Sequence, residues 1–303
     1  MKKVMFLNHE SVQCGVYQYG KRVFSILSKD NRYSEVVYQE VSNEDDYFKS
    51  LETHQPDIVI VNWHPDTIPW WSQNSSINTN CMKIAILHEN GTPNFGFDKF
   101  LNSDMSSNFL ENKFSLRRPL PHADPFIEKR NDTVTIGSFG FGFSNKGFEK
   151  ICNRVVNEID NGVIKLHIPK AFYGDSDGSM ARSVMDRCLD ICDGTNISIE
   201  ISTNFMSDIE LIHFLNQNDI NMFLYDEMPE RGLASTMDFA IAAMKPFAIS
   251  NSAMFRHISA RHPELVTLSI KEIIALGISP TLDLMDIWDA QGLQNDVWDA
   301  INS

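Results

Sequence analysis

The sequence lacks long hydrophobic runs and has few basic residues. Among 303 residues, 40 are acidic and 26 are Lys or Arg, so the formal charge is −14. No apolar stretch approaches the ~20 residues that span a bilayer, and the first apolar run is shorter than a secretory signal core. Nucleic acids and anionic lipids are bound by clustered Lys and Arg. We therefore expect a cytoplasmic protein with no nucleic-acid partner and at most weak membrane association.

Cysteine is also scarce, and its pattern argues against disulfides. The five cysteines are odd in number, and only Cys188 and Cys192 have a helical spacing that places them on one face. No His or further Cys accompanies that pair, so the pattern favours free buried thiols over a metal site. No Asp-x-Asp motif stands in a loop suited to a metal, and we expect no essential metal.

The first half of the chain alternates predicted strands with predicted helices. The strands are typical of a parallel sheet covered on both faces, because they are apolar and rich in β-branched residues. Ligands of such sheets gather at the carboxyl ends of the strands. Gly15 follows the first strand there, and His88 ends a later one, with His64 and His9 as weaker candidates. A lone histidine at a strand end is more often structural.

Three prolines within residues 117–126 predict an extended connector between two domains. We place the first domain at residues 1–127 and the second at 128–285. Residues 286–303 are predicted to form a closing helical tail in which Gly292 is a possible break. A weak basic patch around Lys113, Arg117 and Arg118 is better explained as a solvated surface.

A glycine-rich loop follows the first strand of the second domain. Gly140 and Gly142 allow backbone N–H groups to approach a phosphate, and Lys146 adds a positive charge. The alternative is a tight turn between strand and helix. The spacing matches neither a P-loop nor a dinucleotide fingerprint.

A second motif precedes a predicted helix that starts near Ser235. Ser235 or Thr236 can cap this helix, and its first N–H groups face the mouth of the sheet. Glu230 and Asp238, eight positions apart, can flank the mouth and hold sugar or ribose hydroxyls. The alternative is that these acids are solvated and favour the helix N-terminus.

These segments resemble the donor domain of retaining GT-B glycosyltransferases of the family-four, or group-one, type. The resemblance rests on the strand, glycine loop and Lys-Gly of residues 136–148, the helix and strand of residues 207–224, and the stretch 232–246. The prolines of residues 119–126 resemble the interdomain segment of that family. The family pairs two glutamates, for which Glu230 and Asp238 are the candidates here. Its loop arginine is Phe141 in this chain, and Arg231 is the candidate replacement.

The resemblance implies an α/β fold with two Rossmann-like domains that face each other across a cleft. It implies a hexosyltransferase-like reaction that moves a sugar from a nucleotide-sugar co-substrate with retention of configuration. The acceptor would be a glycan, a lipid-linked sugar or a small molecule, and no other cofactor would be needed. His88, Glu230 and Asp238 would be catalytic, with His88 opposite the two acids. The donor would contact Gly15, Gly140, Gly142, Lys146, Arg231, Gly232, Ser235 and Thr236. A nucleotide-sugar epimerase and an inactive nucleotide-sugar-binding protein remain alternatives.

Overall fold

The computed structural model describes residues 1–12, 14–76, 80–89, 96–104, 112–122, 132–171, 174–229 and 231–303. The chain divides into two compact units. The first comprises Met1–Pro119, Glu230–Leu233 and Ile287–Ser303, and the second comprises Leu120–Pro229 and Ala234–Asp286. The domain boundary expected at residue 127 lies outside the described residues. Within the described part of the chain, every helix is too short or too polar to cross a bilayer.

The first unit is an α/β unit whose elements alternate along the chain. They are β1 (Lys2–Asn8), α1 (Gly15–Leu27), β2 (Tyr33–Glu40), α2 (Glu44–His54), β3 (Ile58–Trp63), α3 (Gln73–Ser76), β4 (Met82–Leu87), β5 (Lys99–Asn102) and β6 (Lys113–Ser115). The described strands form one parallel sheet in the order β2-β1-β3-β4-β5-β6. Strand order therefore reverses between β1 and β3, which is a switch point.

The second unit has a parallel sheet of its own. Its elements are β7 (Val134–Phe139), α4 (Phe148–Glu158), β8 (Gly162–His167), α5 (Ser179–Cys192), β9 (Ile197–Ser202), α6 (Asp208–Asn216), β10 (Ile220–Phe223), α7 (Thr236–Ala242), β11 (Phe247–Ile249), α8 (Arg256–Ser259), α9 (Glu264–Thr267), α10 (Ile270–Leu276) and α11 (Ser279–Ile287). The described strands lie in the order β11-β10-β7-β8-β9, so this sheet reverses between β7 and β10.

Helices cover both faces of the first unit's sheet, as its β-branched strands predict. Successive strand residues point to opposite faces. Phe6 and Ile60 pack with α1 on one face, whereas Met5 and Val59 pack with Tyr47 of α2 on the other. The sheet is therefore buried on both sides, and its carboxyl edge is left for polar residues.

The closing tail consists of the last two residues of α11 and a second helix, and the break between the helices is not at Gly292. The second helix, α12 (Ala290–Asn302), begins after Asp289, whose side chain accepts a hydrogen bond from the Gly292 backbone N–H. Gly292 lies inside the first turn of α12. A glycine suits this position because an added Cβ would sit 1.6 Å from Arg117 Nη1. The helix packs Leu293, Val297, Ala300 and Ile301 into the core of the first unit.

Candidate functional site

Two loops of the second unit meet where its strand order reverses. β7 and β10 are parallel neighbours, with Ile136 opposite Ile220. From β7 the chain builds β8 and β9 on one side, and β10 and β11 lie on the other. In open parallel sheets, ligands bind at such a point, beyond the carboxyl ends of the strands. The glycine loop follows β7, and the loop that leads to α7 follows β10.

The glycine loop lies directly against the end of β10. At Gly147, φ is +69°, and an added Cβ would sit 1.9 Å from the Leu224 carbonyl oxygen, so only glycine fits. Gly140 has a φ of +154°. A Cβ on Gly142 would sit 2.2 Å from the Cα of Ala181 in α5. Close packing thus explains the glycine at 142, and the phosphate contacts of Gly140 and Gly142 stay predictions.

Lys146 connects the two loops. It ends the 3-10 turn Ser144–Lys146, and its Nζ lies 4.1 Å from the centroid of the Tyr225 ring. The Tyr225 hydroxyl donates to Thr236 Oγ1 over 3.3 Å, and Thr236 is the first residue of α7. A cation over an aromatic face is stabilised by about 0.5–2 kcal/mol. Lys146, Tyr225 and Thr236 therefore form a contiguous group at the switch point.

The start of α7 differs in detail from the expected cap. Ser235 occupies the N-cap position, but its φ of −71° and ψ of −11° are helical, and its side chain makes no capping hydrogen bond. A capping side chain normally stands on extended backbone. Asp238 is fully buried in the first turn of α7. Glu230 lies outside the described residues, so the pairing of these two acids, and their placement opposite His88, stay predictions.

Arg231 and Gly232 belong to the first unit, where they lie at the end of β4. Arg231 Nη1 is 2.9 Å from Glu89 Oε1. A Cβ on Gly232 would sit 1.8 Å from the carbonyl oxygen of His88, so the close approach requires glycine. Their predicted contacts with a donor stay predictions.

The other predicted residues of the first unit stand at strand ends. Gly15 is the exposed first residue of α1. His88 follows β4 and is half-buried, with its ring edge-on to Tyr19 at 4.9 Å between centroids. Burial, with smaller contributions from His64, Arg118 and His9, lowers the pKa of His88 to about 3. His88 is therefore neutral at neutral pH, and its predicted contact with the transferred sugar would be that of a neutral imidazole.

An asparagine pair fixes the orientation of His88. Asn62 Nδ2 donates to Asn8 Oδ1 over 2.9 Å and to the Val16 carbonyl over 2.7 Å. Asn62 Oδ1 is therefore the acceptor toward His88 Nε2, 2.7 Å away, and Nε2 carries the hydrogen. Gly20 of α1 makes room for this pair, because its Cβ would lie 2.5 Å from Asn62 Nδ2. Asn8, Asn62 and Gly20 were not among the site residues predicted from the sequence, because their contacts depend on the pairing of β1 with β3.

His9 and His64 stand at the same edge of the sheet as His88. His9 Nδ1 accepts the Ser11 N–H over 3.2 Å, so Nε2 carries the hydrogen. This Nε2 is buried and has no hydrogen-bond partner in the described part of the chain. Burial lowers the pKa of His9 to about 4. His64 accepts the Asp66 N–H at Nδ1, and its Nε2 lies 3.6 Å from Glu89 Oε1.

The basic residues near the connector do not form a patch. Arg118 is 3% exposed, and its guanidinium lies 5.7 Å from the Tyr19 ring centroid. Arg117 contacts Asp289 and Asp296 of the first unit at 4.0 and 3.9 Å. The expectation of a solvated surface is therefore wrong for Arg118, which is buried, and Arg117 is paired with two aspartates.

All five cysteines are free thiols, as expected. Over the described ranges, no cluster of three or more His, Cys, Asp or Glu has an arrangement that could hold a metal ion. The Asp-x-Asp sequence of Asp175 and Asp177 caps α5 instead. Asp175 accepts N–H bonds from Met180 and Ala181, and Asp177 accepts one from Ser179.

Comparison with solved structures agrees with this architecture. No family model and no curated protein matches the sequence. HepE from Anabaena, solved with UDP and glucose, superposes with a TM-score of 0.68 at 9% identity, covering 100% of both chains. AviGT4, a glycosyltransferase involved in avilamycin A biosynthesis, gives 0.68 at 10% identity over 99% of this chain and 97% of its own. The trehalose-6-phosphate synthase OtsA gives 0.66 at 9% identity over 99% of both chains. At these identities the similarity establishes the fold, and this chain has the GT-B fold with its two Rossmann-like units.

Proposed function

We propose that this protein transfers a sugar from a nucleotide-sugar donor to an acceptor. In this proposal the second unit holds the donor diphosphate and the first unit holds the acceptor. The observation that carries it is the group formed by Lys146, Tyr225 and Thr236 at the switch point between β7 and β10.

The chemistry of transfer explains why a lysine is needed there. When the sugar leaves, negative charge builds on the nucleoside diphosphate, and fixed positive groups near that charge lower the barrier. Among the residues that the structure describes, Lys146 Nζ lies over the Tyr225 ring and pairs with no carboxylate, so the charge is held in place without being neutralised.

Two features of similar proteins support the nature of the donor. HepE was solved both with UDP and with UDP and glucose. A trehalose-6-phosphate protein from E. coli, another structural neighbour, was solved with UDP-2-fluoro glucose. We therefore propose a uridine nucleotide-sugar first. Retention and a hexosyl group complete the proposal, and they follow from the family resemblance of residues 136–148 and 232–246. Independence from metal is proposed because the sequence has no Asp-x-Asp motif in a loop suited to a metal.

A ligand panel tests the proposal directly. UDP, GDP, ADP and TDP would be compared by thermal shift at millimolar concentration, because a ligand at 100 times its Kd stabilises the native state by about 2.7 kcal/mol. We expect at least one nucleotide to raise the melting temperature. No shift with any of them would refute the donor site.

Turnover then separates the alternatives. The product nucleotide released from the matching nucleotide sugar would be measured with and without a glycoside panel. Release that depends on an acceptor supports a transferase. An isomerised nucleotide sugar without acceptor would show an epimerase, and binding without any product would show an inactive binding protein.

A further inference from the structure

We infer that the carboxyl edge of the first unit's sheet binds a neutral, polyhydroxylated acceptor and discriminates against phosphorylated or carboxylated ones. This inference rests on the proposed function, which assigns the acceptor to the first unit. It concerns the edge formed by the ends of β1, β2, β3 and β4, where His9, Glu40, His64, His88 and Glu89 stand.

The first element of this edge is a donor without an acceptor. His9 is 3% exposed, and its Nε2–H has no hydrogen-bond partner among the residues that the structure describes. A buried donor left unpaired costs about 1–3 kcal/mol, so such groups are retained where something pairs with them. The ring is packed edge-on against Tyr17 at 5.8 Å between centroids, so it cannot rotate freely toward another partner.

The second element is an acceptor beside that donor. Glu40 is the last residue of β2 and lies directly opposite Asn8, the last residue of β1. His9 follows Asn8 in the chain. Its Oε1 accepts the Tyr17 hydroxyl over 2.5 Å, and Tyr17 also contacts the His9 ring. A carboxylate has about four acceptor positions, so one bond to Tyr17 leaves most of them for a ligand.

The same combination recurs at the next strands. His64 Nε2 carries a hydrogen, because Nδ1 accepts the Asp66 N–H, and it faces Glu89 Oε1 at 3.6 Å. In the strand order of the sheet the groups are Glu40, His9, His64 and Glu89, so each half of the edge offers a donor next to an acceptor. A hydroxyl group donates and accepts at once, whereas a phosphate or carboxylate can only accept. The edge matches a row of hydroxyl groups.

Charge at this edge points the same way. Its carboxylates are those of Glu40 and Glu89, with Glu10 and Asp66 exposed nearby. Three cations lie near them: Arg231 is paired with Glu89, whereas Lys21 lies over the Tyr38 ring at 4.4 Å and Arg118 lies over the Tyr19 ring, so both of these keep their charge. The four carboxylates outnumber these three cations. His9 and His88 are neutral at neutral pH because burial lowers both pKa values. An anionic acceptor would therefore meet net negative charge.

Matched sugars provide the test. Saturation-transfer NMR would measure the affinity of the full chain for methyl α-glucoside, glucose 6-phosphate and glucuronate. The same three forms of galactose and mannose would be measured in the same way. We expect a neutral member to bind at least tenfold more tightly than its charged forms. His9→Phe should weaken the neutral member about tenfold, and Glu40→Gln should shrink the discrimination about fivefold by removing one repelling charge.

Controls make every outcome decisive. Glu35→Gln, on the same strand as Glu40 but paired with Lys3, should leave all affinities unchanged. Equal or tighter binding of charged sugars, no binding of any neutral sugar, or wild-type behaviour of Glu40→Gln would overturn the inference. UDP binding would be measured on the same samples by calorimetry. If UDP binds while the neutral preference is absent, only this inference fails, and if UDP does not bind, the proposed function fails.

Discussion

Replacing Lys146 with Met separates a phosphate-binding lysine from a structural one. The substitution keeps the aliphatic stem and removes the charge that lies 4.1 Å from the Tyr225 ring centroid. In the unliganded protein it removes a cation–π contact of about 1 kcal/mol. If Lys146 also binds a diphosphate, it removes a charge-assisted hydrogen bond of about 1.5–3 kcal/mol, which lowers UDP affinity about 10- to 150-fold.

The two effects need separate measurements. Calorimetric titration with UDP gives the affinity, and urea unfolding gives the free energy of unfolding. Lys150→Met is the matched control, because Lys150 lies in the following helix and pairs with Asp226 at 2.5 Å on the surface. Such exposed pairs contribute about 0.2–1 kcal/mol to stability. A change in UDP affinity below twofold for Lys146→Met, or an equal loss for Lys150→Met, would refute the reasoning.

The remaining predictions address both units. Gly20→Ala should destabilise the protein by about 1–3 kcal/mol, because its Cβ would overlap Asn62, and urea unfolding should show no such loss for Ser25→Ala on the exposed face of α1. His9 has a lowered pKa of about 4 in the folded state, so the unfolded chain binds protons first as pH falls below 6.5. Between pH 7 and pH 5 the protonation of His9 in the unfolded chain should lower the free energy of unfolding by about 2 kcal/mol. If the free energy of unfolding of His9→Phe falls equally over this range, the prediction is wrong. His88→Ala should lower turnover at least tenfold while UDP affinity changes less than twofold, since the predicted contact is with the sugar, and parallel losses in both would argue for a structural role. Transfer should survive EDTA, and activity that disappears and returns with Mg²⁺ or Mn²⁺ would disprove metal independence.

Much of the fold follows from local sequence signals. The segment Ser207-x-x-Glu210 contains a capping box, and α6 begins and ends where the sequence indicates because both reciprocal hydrogen bonds form. The apolar, β-branched strands β3, β4 and β7 were likewise predictable, since buried parallel strands read as continuous apolar runs. The edge strand β2 was missed because its sequence is mixed and half-exposed, and edge strands lack the continuous apolar signal.

The site was predictable in part, and for a physical reason. Lys146 and Thr236 stand in recognisable motifs, but their link runs through Tyr225, whose position depends on the pairing of β10 with β7. Asn8 and Asn62 face each other only because β1 and β3 pair in register over 54 residues of sequence separation. Local sequence patterns predict which polar residues lie at strand ends. Which of these residues contact each other depends on the pairing register of the strands, and that register is set by tertiary structure.

The return of α12 to the first unit has a consequence for synthesis. Domains generally fold as units in the order in which they leave the ribosome. Here the core of the first unit includes Leu293, Val297, Ala300 and Ile301, which are synthesised after the second unit. The segment 120–286 is therefore fully synthesised while the first sheet still exposes the apolar surface that α12 covers. During translation the second unit can finish before the first, and a nascent or truncated chain that stops at residue 286 presents that uncovered surface to chaperones and proteases.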